Sequence, residues 1–151
     1  THQQIIEIGS WLGFSALMLH RLNPTATILC IDPWLGSSEL VEMHLRVEID
    51  GSYQQFLANT YHASQWIWPL RMTGVDGLAL AHKCGFHPSL IFIDGSHEYE
   101  SVWGDLHAAR RLFPEATLVM DDLNHPGVRQ AAAELLGILT DVDNNAAAYV
   151  P

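Results

Sequence analysis

Positive charge is scarce in this chain: seven Lys and Arg stand against seventeen Asp and Glu in 151 residues, a net charge of −10 with histidine neutral. Lys83 is the single lysine. Such a balance repels a phosphate backbone, so nucleic acid is not expected as a partner. Cysteine is scarce too. Cys30 and Cys84 alone exclude a disulfide framework and read as reduced, structural thiols. No apolar run approaches the length that crosses a bilayer, and no signal-peptide pattern opens the sequence. No membrane partner is therefore expected, and the expected location is the cytoplasm. Thr1 stands where an initiator Met would be, which suggests that residues ahead of it are missing. Low-complexity tracts, repeats and linkers are absent as well. The chain does have 48% apolar and 16% charged residues, the balance of a globular domain with a sizeable core. It also has nine histidines, so its charge depends on pH near about pH 6.

Strand-like runs at residues 5–8, 27–31, 66–70, 90–93 and 117–120 alternate with helical spacing at 14–22, 52–62, 76–83, 101–112 and 128–136. Asn23-Pro24 stops the first helix, Gly85 closes the third, and Pro126 lies near the first turn of the last. Residues 33–50 read as irregular, although 40–48 could form a helix. In the tail, 138–143 and 146–150 read as two short strands around Asn144-Asn145. Five strand–helix units finished by a hairpin predict a single α/β domain over residues 1–151, with a doubly wound, mainly parallel sheet.

The first strand runs into Glu7-Ile8-Gly9-Ser10-Trp11-Leu12-Gly13, where glycines permit a sharp turn and a close ligand. Gly-x-x-x-Gly is looser than the Gly-x-Gly-x-x-Gly of dinucleotide sites, and no Walker loop is present. Asp32 ends the second strand, 19 residues after Gly13, where an acid can take two ribose hydroxyls. Each half alone reads as an ordinary turn before Pro33. Together they favour a nucleoside ligand.

Ile91-Phe92-Ile93-Asp94-Gly95-Ser96-His97-Glu98-Tyr99 reads as a buried strand delivering an acid and a histidine to a crevice. Thr117-Leu118-Val119-Met120 ends similarly, in Asp121-Asp122. Three crowded carboxylates are costly without a cation, and three oxygen ligands plus waters suit Mg²⁺. Alternatively, Asp121, Asp122 and Asn124 cap the helix near Pro126. An imidazole at His97 can take a proton from a substrate hydroxyl; a surface or capping role is the plain alternative. Asp94 or a metal-bound water could serve as base instead. His125 reads as a loop residue at the start of a helix.

Taken together, Glu7 to Gly13, Asp32-Pro33-Trp34, Phe56-Leu57-Ala58-Asn59, residues 93–99 and Asp121-Asp122 make the chain resemble class I S-adenosylmethionine-dependent methyltransferases over nearly its whole length. The pattern is most similar to bacterial small-molecule O-methyltransferases of the macrocin O-methyltransferase type, and more distantly to catechol O-methyltransferase. The resemblance implies a cofactor site of Glu7, Gly9, Ser10, Gly13, Asp32, Pro33, Trp34, Asp76 and Asp94. In it Glu7, Gly9 and Gly13 line the methionine part, Asp32 holds the ribose, and residues 73–76 lie near the adenine. It implies Mg²⁺ on Asp94, Asp121 and Asp122, with Asp94 and His97 as the catalytic pair. His97 stands where catechol-type enzymes carry a lysine. It also implies a Rossmann-like, seven-stranded sheet with a C-terminal antiparallel β-hairpin, and helices before the first strand that this chain would lack. The chain departs from the pattern at Phe113-Pro114-Glu115-Ala116, where relatives carry a Gly-Gly turn.

The expected activity is therefore Mg²⁺-assisted methyl transfer from S-adenosylmethionine to a hydroxyl of a small molecule, such as a sugar or polyketide glycoside. The acidic stretch 35–50 is the expected lid or substrate loop, and a homo-oligomer could help close the site. Two other readings stand beside it. A nicotinamide-dependent oxidoreductase is disfavoured by the absent third glycine and Tyr-x-x-x-Lys pair. The other is a truncated nucleoside-binding module without activity.

Overall fold

In the computed structural model, which describes residues 3–36, 46–137, 140–141 and 145–151, the apolar runs assemble into one seven-stranded sheet. Its strands are β1 (Gln4–Ile8), β2 (Thr27–Ile31), β3 (Ile67–Leu70), β4 (Leu90–Ile93), β5 (Thr117–Met120), β6 (Thr140–Asp141) and β7 (Ala147–Tyr149). Their order is β3-β2-β1-β4-β5-β7-β6. The first five run parallel, and β7 is antiparallel to both β5 and β6. Between them lie α1 (Phe14–Leu22), α2 (Arg46–Thr60) with a 3-10 turn (Tyr61–Ala63), α3 (Gly74–Lys83), α4 (Tyr99–Leu112) and α5 (Pro126–Leu136).

Parallel strands need cover on both faces, and the alternation along β1 shows how it is divided. Ile6 and Ile8 point into a core shared with Leu78 of α3, Leu106 of α4 and Val128 of α5. Ile5 points the other way, to Ala16 of α1 and Phe56 of α2. Full burial of an aliphatic side chain contributes about 1.5–3 kcal/mol, and Ile5, Ile6, Ile28, Ile31 and Ile91 are each wholly buried.

The bounds expected for β2, β4, β5 and α1 are those observed. Helix α2 begins at Arg46 rather than at residue 52, because Glu48, Asp50 and Gly51 mask its apolar period in the sequence. Helix α3 begins earlier than residue 76: Thr73 accepts from the Asp76 N–H and donates its hydroxyl to the Asp76 carboxylate at 2.8 Å, a reciprocal cap. Of the expected strand 138–143, Thr140–Asp141 is a strand. Most of the expected helix 40–48 and of the expected lid 35–50 lies outside the described residues.

The chain winds from β1 outward to β2 and β3, then crosses back to β4 on the other side of β1. The crevice at the carboxyl ends of β1 and β4 is the switch point where open α/β sheets bind ligands.

Candidate active site

The turn after β1 is pressed against the end of β4. Gly9 has φ 87°, and a Cβ there would run into the Asp94 carbonyl and the Gly95 Cα. Its N–H donates to the Ile31 carbonyl at 2.9 Å, tying the turn to β2. Gly13, at φ 85°, is the N-cap of α1 and packs against Phe56 and Thr60 of α2. Asn59 donates to the Leu12 carbonyl at 2.9 Å, so α2 braces the outer side of the turn.

Asp32, at the end of the neighbouring β2, holds this turn. One carboxylate oxygen accepts the N–H groups of Ser10 (2.9 Å) and Trp11 (2.8 Å), and the other accepts that of Trp34 (2.6 Å). The Trp34 indole donates to the Trp11 carbonyl at 2.7 Å and packs on Tyr53 and Phe56. Trp11 and Trp34 both sit in the left-handed region, at φ 38° and 52°. Such backbone is held only by a surrounding network. A carboxylate has about four lone-pair sites, so Asp32 keeps capacity for a ligand hydroxyl beside its three amides.

Glu7 lies beneath the turn, wholly buried, where its Oε2 accepts from the Ser10 hydroxyl and its Oε1 has no hydrogen-bond partner among the described residues. Burial raises its carboxyl above the usual range, and raises the Cys30 thiol beside it further.

The opposite wall is built from the ends of β4 and β5. Burial pushes Asp94 up to about 7, helped by the negative charges of Asp121 and Asp122. His97 Nε2 lies 2.8 Å from Asp122 Oδ2. Asp122 has φ 58°, and Asn145, just before β7, donates to its Oδ1 at 2.9 Å and to Asp121 Oδ1 at 3.2 Å. Burial works against the Asp122 anion, but the hydrogen bonds from Asn145 and His97 outweigh it, and the group is held below its usual range. The His125 ring stacks on His97 at 4.0 Å. Among the described residues, the group whose donor atoms all fall within 4.8 Å of one another is His97, Asp122 and His125. The trio Asp94, Asp121 and Asp122 is not drawn to that spacing.

Between the two walls opens a cavity of about 1140 Å³. Of the residues expected at the site, Gly9, Ser10, Asp32, Pro33, Trp34, Asp94, His97, Asp121 and Asp122 line it. Glu7 and Gly13 stand behind its wall, and Asp76 faces out as part of the α3 cap. Two residues were not foreseen. Asp105 of α4 lines the cavity with its carboxylate against Gly74, and burial pushes it up to about 7. Asn145 pins the acid pair, although the sequence shows it only as a turn residue. Backbone donors on one side and a histidine with acids on the other can position a polar ligand and accept a proton from it.

A family model described as a methyltransferase domain matches residues 6–123. Several solved structures share the fold. CalS11, a TDP-rhamnose 3′-O-methyltransferase of calicheamicin biosynthesis, is 20% identical over 98% of this chain and 71% of its own, with TM-score 0.61. MycE, a methyltransferase of mycinamycin biosynthesis crystallised with Mg, SAH and mycinamycin VI, is 14% identical over 98% of this chain, with TM-score 0.66. This chain spans 44% of the length of MycE. Human methyltransferase-like protein 13, in complex with SAH, is 13% identical over 99% of this chain and 72% of its own, with TM-score 0.59. The chain has no match among curated protein sequences. No helix among the described residues is long and apolar enough to cross a membrane.

Proposed function

The chain belongs to the methyltransferase domain family, and from that premise we propose that it moves a methyl group from S-adenosylmethionine to a hydroxyl of a small molecule. The observation that carries this reading is the crevice itself: a backbone-lined turn and Asp32 face Asp94, His97 and Asp122 across one cavity. That cavity is large enough for a nucleoside cofactor and an acceptor together, since ligand pockets span about 300–1,000 Å³.

The residues fit the cofactor. Gly9 lets the turn close on the end of β4, Asp32 retains acceptor capacity for a ribose hydroxyl, and Thr73, Gly74 and Asp105 form a polar corner for the base. Bound there, S-adenosylmethionine would supply an electrophilic sulfonium methyl. Glu7 and Gly13 serve this site indirectly, by shaping the turn. His97 accepts the acceptor's hydroxyl proton, and Asp122 orients its ring and stabilises the imidazolium. The freed oxygen would then take the methyl as its bond to sulfur breaks, leaving the cofactor as a neutral thioether, so alignment is the main contribution of the walls.

The donor chemistry also fits Mg²⁺. Asp94, Asp121 and Asp122 offer carboxylate oxygens on one wall, and burial, helped by the charges of the other two, holds the first partly protonated. Mg²⁺ held there would stabilise negative charge developing on the acceptor oxygen. The net charge of −10 favours a neutral or cationic small molecule over nucleic acid. Acceptors such as sugars and polyketide glycosides match this chemistry.

Calorimetric titration tests the reading. S-adenosylmethionine is expected to bind and NADH not to; binding of NADH alone overturns it. A panel of hydroxylated acceptors, assayed for methyl transfer with Mg²⁺ and with EDTA, then identifies acceptor class and metal dependence.

A further inference from the structure

His97, Asp122 and His125 come from the loop after β4, the loop after β5 and the N-cap of α5. Three features bring them together. Gly127 has no side chain, and a Cβ there would meet the His97 carbonyl and, at 2.9 Å, the Tyr99 nitrogen, so the first turn of α5 rests on this loop. His125 makes no side-chain cap to its own helix; its ring lies on that of His97, 25° from parallel. Asp122, in left-handed backbone, has Oδ1 anchored by Asn145 and turns Oδ2 to His97.

We propose that His97, Asp122 and His125 form a site for a late divalent transition metal, with Zn²⁺ the reference ion, distinct in chemistry from the carboxylate set. Two imidazoles and one carboxylate are borderline-soft donors that favour Co²⁺, Ni²⁺, Cu²⁺ and Zn²⁺, whereas Mg²⁺ takes oxygen ligands and keeps its waters. All donor atoms already fall within 4.8 Å of one another, and His97 Nε2 and Asp122 Oδ2 are 2.8 Å apart. Tetrahedral ligands with bonds of about 2.0–2.2 Å stand ~3.4 Å apart, so an ion entering here replaces this hydrogen bond after the two groups part by only ~0.6 Å. The remaining positions open towards the cavity, which His97 and Asp122 line.

One consequence rests on the proposed function. A metal on His97 Nε2, the nitrogen otherwise bonded to Asp122, takes the neutral ring's one lone pair and leaves the ring proton on Nδ1, the nitrogen that would receive the acceptor's proton. Zn²⁺ at this site and His97 as base exclude each other, so Zn²⁺ is an inhibitor of methyl transfer.

The test reads metal binding without cofactor or acceptor, so its outcome is independent of the enzyme reading. Co²⁺ titration followed by visible absorption is expected to show one site, emptied by equimolar Zn²⁺ and untouched by a 100-fold excess of Mg²⁺. His125→Ala and His125→Phe, the second keeping an aromatic ring on His97, are expected to weaken Zn²⁺ binding by about 100-fold. Far-ultraviolet circular dichroism and melting verify that both variants are folded. Zn²⁺ affinity unchanged in folded His125→Phe overturns the proposal. So does a larger loss in Asp94→Asn than in His125→Phe, which would place Zn²⁺ on the carboxylates. In the methyl-transfer assay Zn²⁺ is expected to inhibit and EDTA to restore; activation by Zn²⁺ overturns the exclusion.

Discussion

The two walls of the crevice use their acids in opposite ways. At the ends of β1 and β2, Asp32 is engaged by three backbone N–H groups, and Glu7 is buried beneath the turn. Charge there is spent on shaping main chain. At the ends of β4 and β5, Asp94 is raised to about 7, Asp122 is lowered, and His97 bridges towards the cavity. Charge there is left in tension. On the proposed function, the difference separates a wall that would recognise through backbone geometry from a wall that would react through side chains, and substitutions should divide accordingly.

The sharpest break is at the contact between the walls. Gly9→Ala sets a methyl against the Asp94 carbonyl in left-handed backbone; it should cost about 4 kcal/mol in urea unfolding and abolish cofactor binding in calorimetry. On the reactive wall alone, His97→Gln should lower the single-turnover methyl-transfer rate by about 100-fold, about 2.7 kcal/mol, with cofactor affinity retained. A weakened cofactor affinity at unchanged rate would erase the contrast between the walls.

Asp94 tests whether the tension is electrostatic. Its folded pKa is raised, so the folded state holds a proton more tightly than the unfolded chain, and stability falls as pH rises from about 4 to about 7. Asp94→Asn should therefore stabilise by about 2 kcal/mol above pH 7, discounted for partial exposure, with the gain vanishing towards about pH 4. Saturating Mg²⁺ should shrink that gain by stabilising the parent protein. The smallest effect is at Asn145→Ala. Loss of its two side-chain hydrogen bonds to the acids should cost about 1 kcal/mol and raise the pKa of Asp122, read from its carboxylate NMR shift.

Strands were legible in the sequence because parallel strands covered on both faces are unbroken apolar runs; Thr27–Ile31 is buried at every position. Acids at the ends of such runs were legible for the same reason, since a strand's end places its next residue in the crevice. What escaped was anything set by a distant partner. Asp105 looks like one more polar residue in a helix until α3 brings Gly74 against it. Asp76 reads as a cofactor residue from the sequence, and its bond to the Thr73 hydroxyl in the cap shows only in the fold. Asn145 reads as a turn until β7 pairs with β5 and carries it back to Asp121 and Asp122.

That return strand also sets an order of events. The pairs β1–β2, β1–β4 and β4–β5 involve residues no later than Met120, so the parallel centre can close while the chain is still being made. The hydrogen bond that anchors Asp122 Oδ1 waits until Asn145 arrives from the synthetic machinery. The wall at β1 and β2 can thus mature on a nascent chain before the wall at β4 and β5 takes its shape.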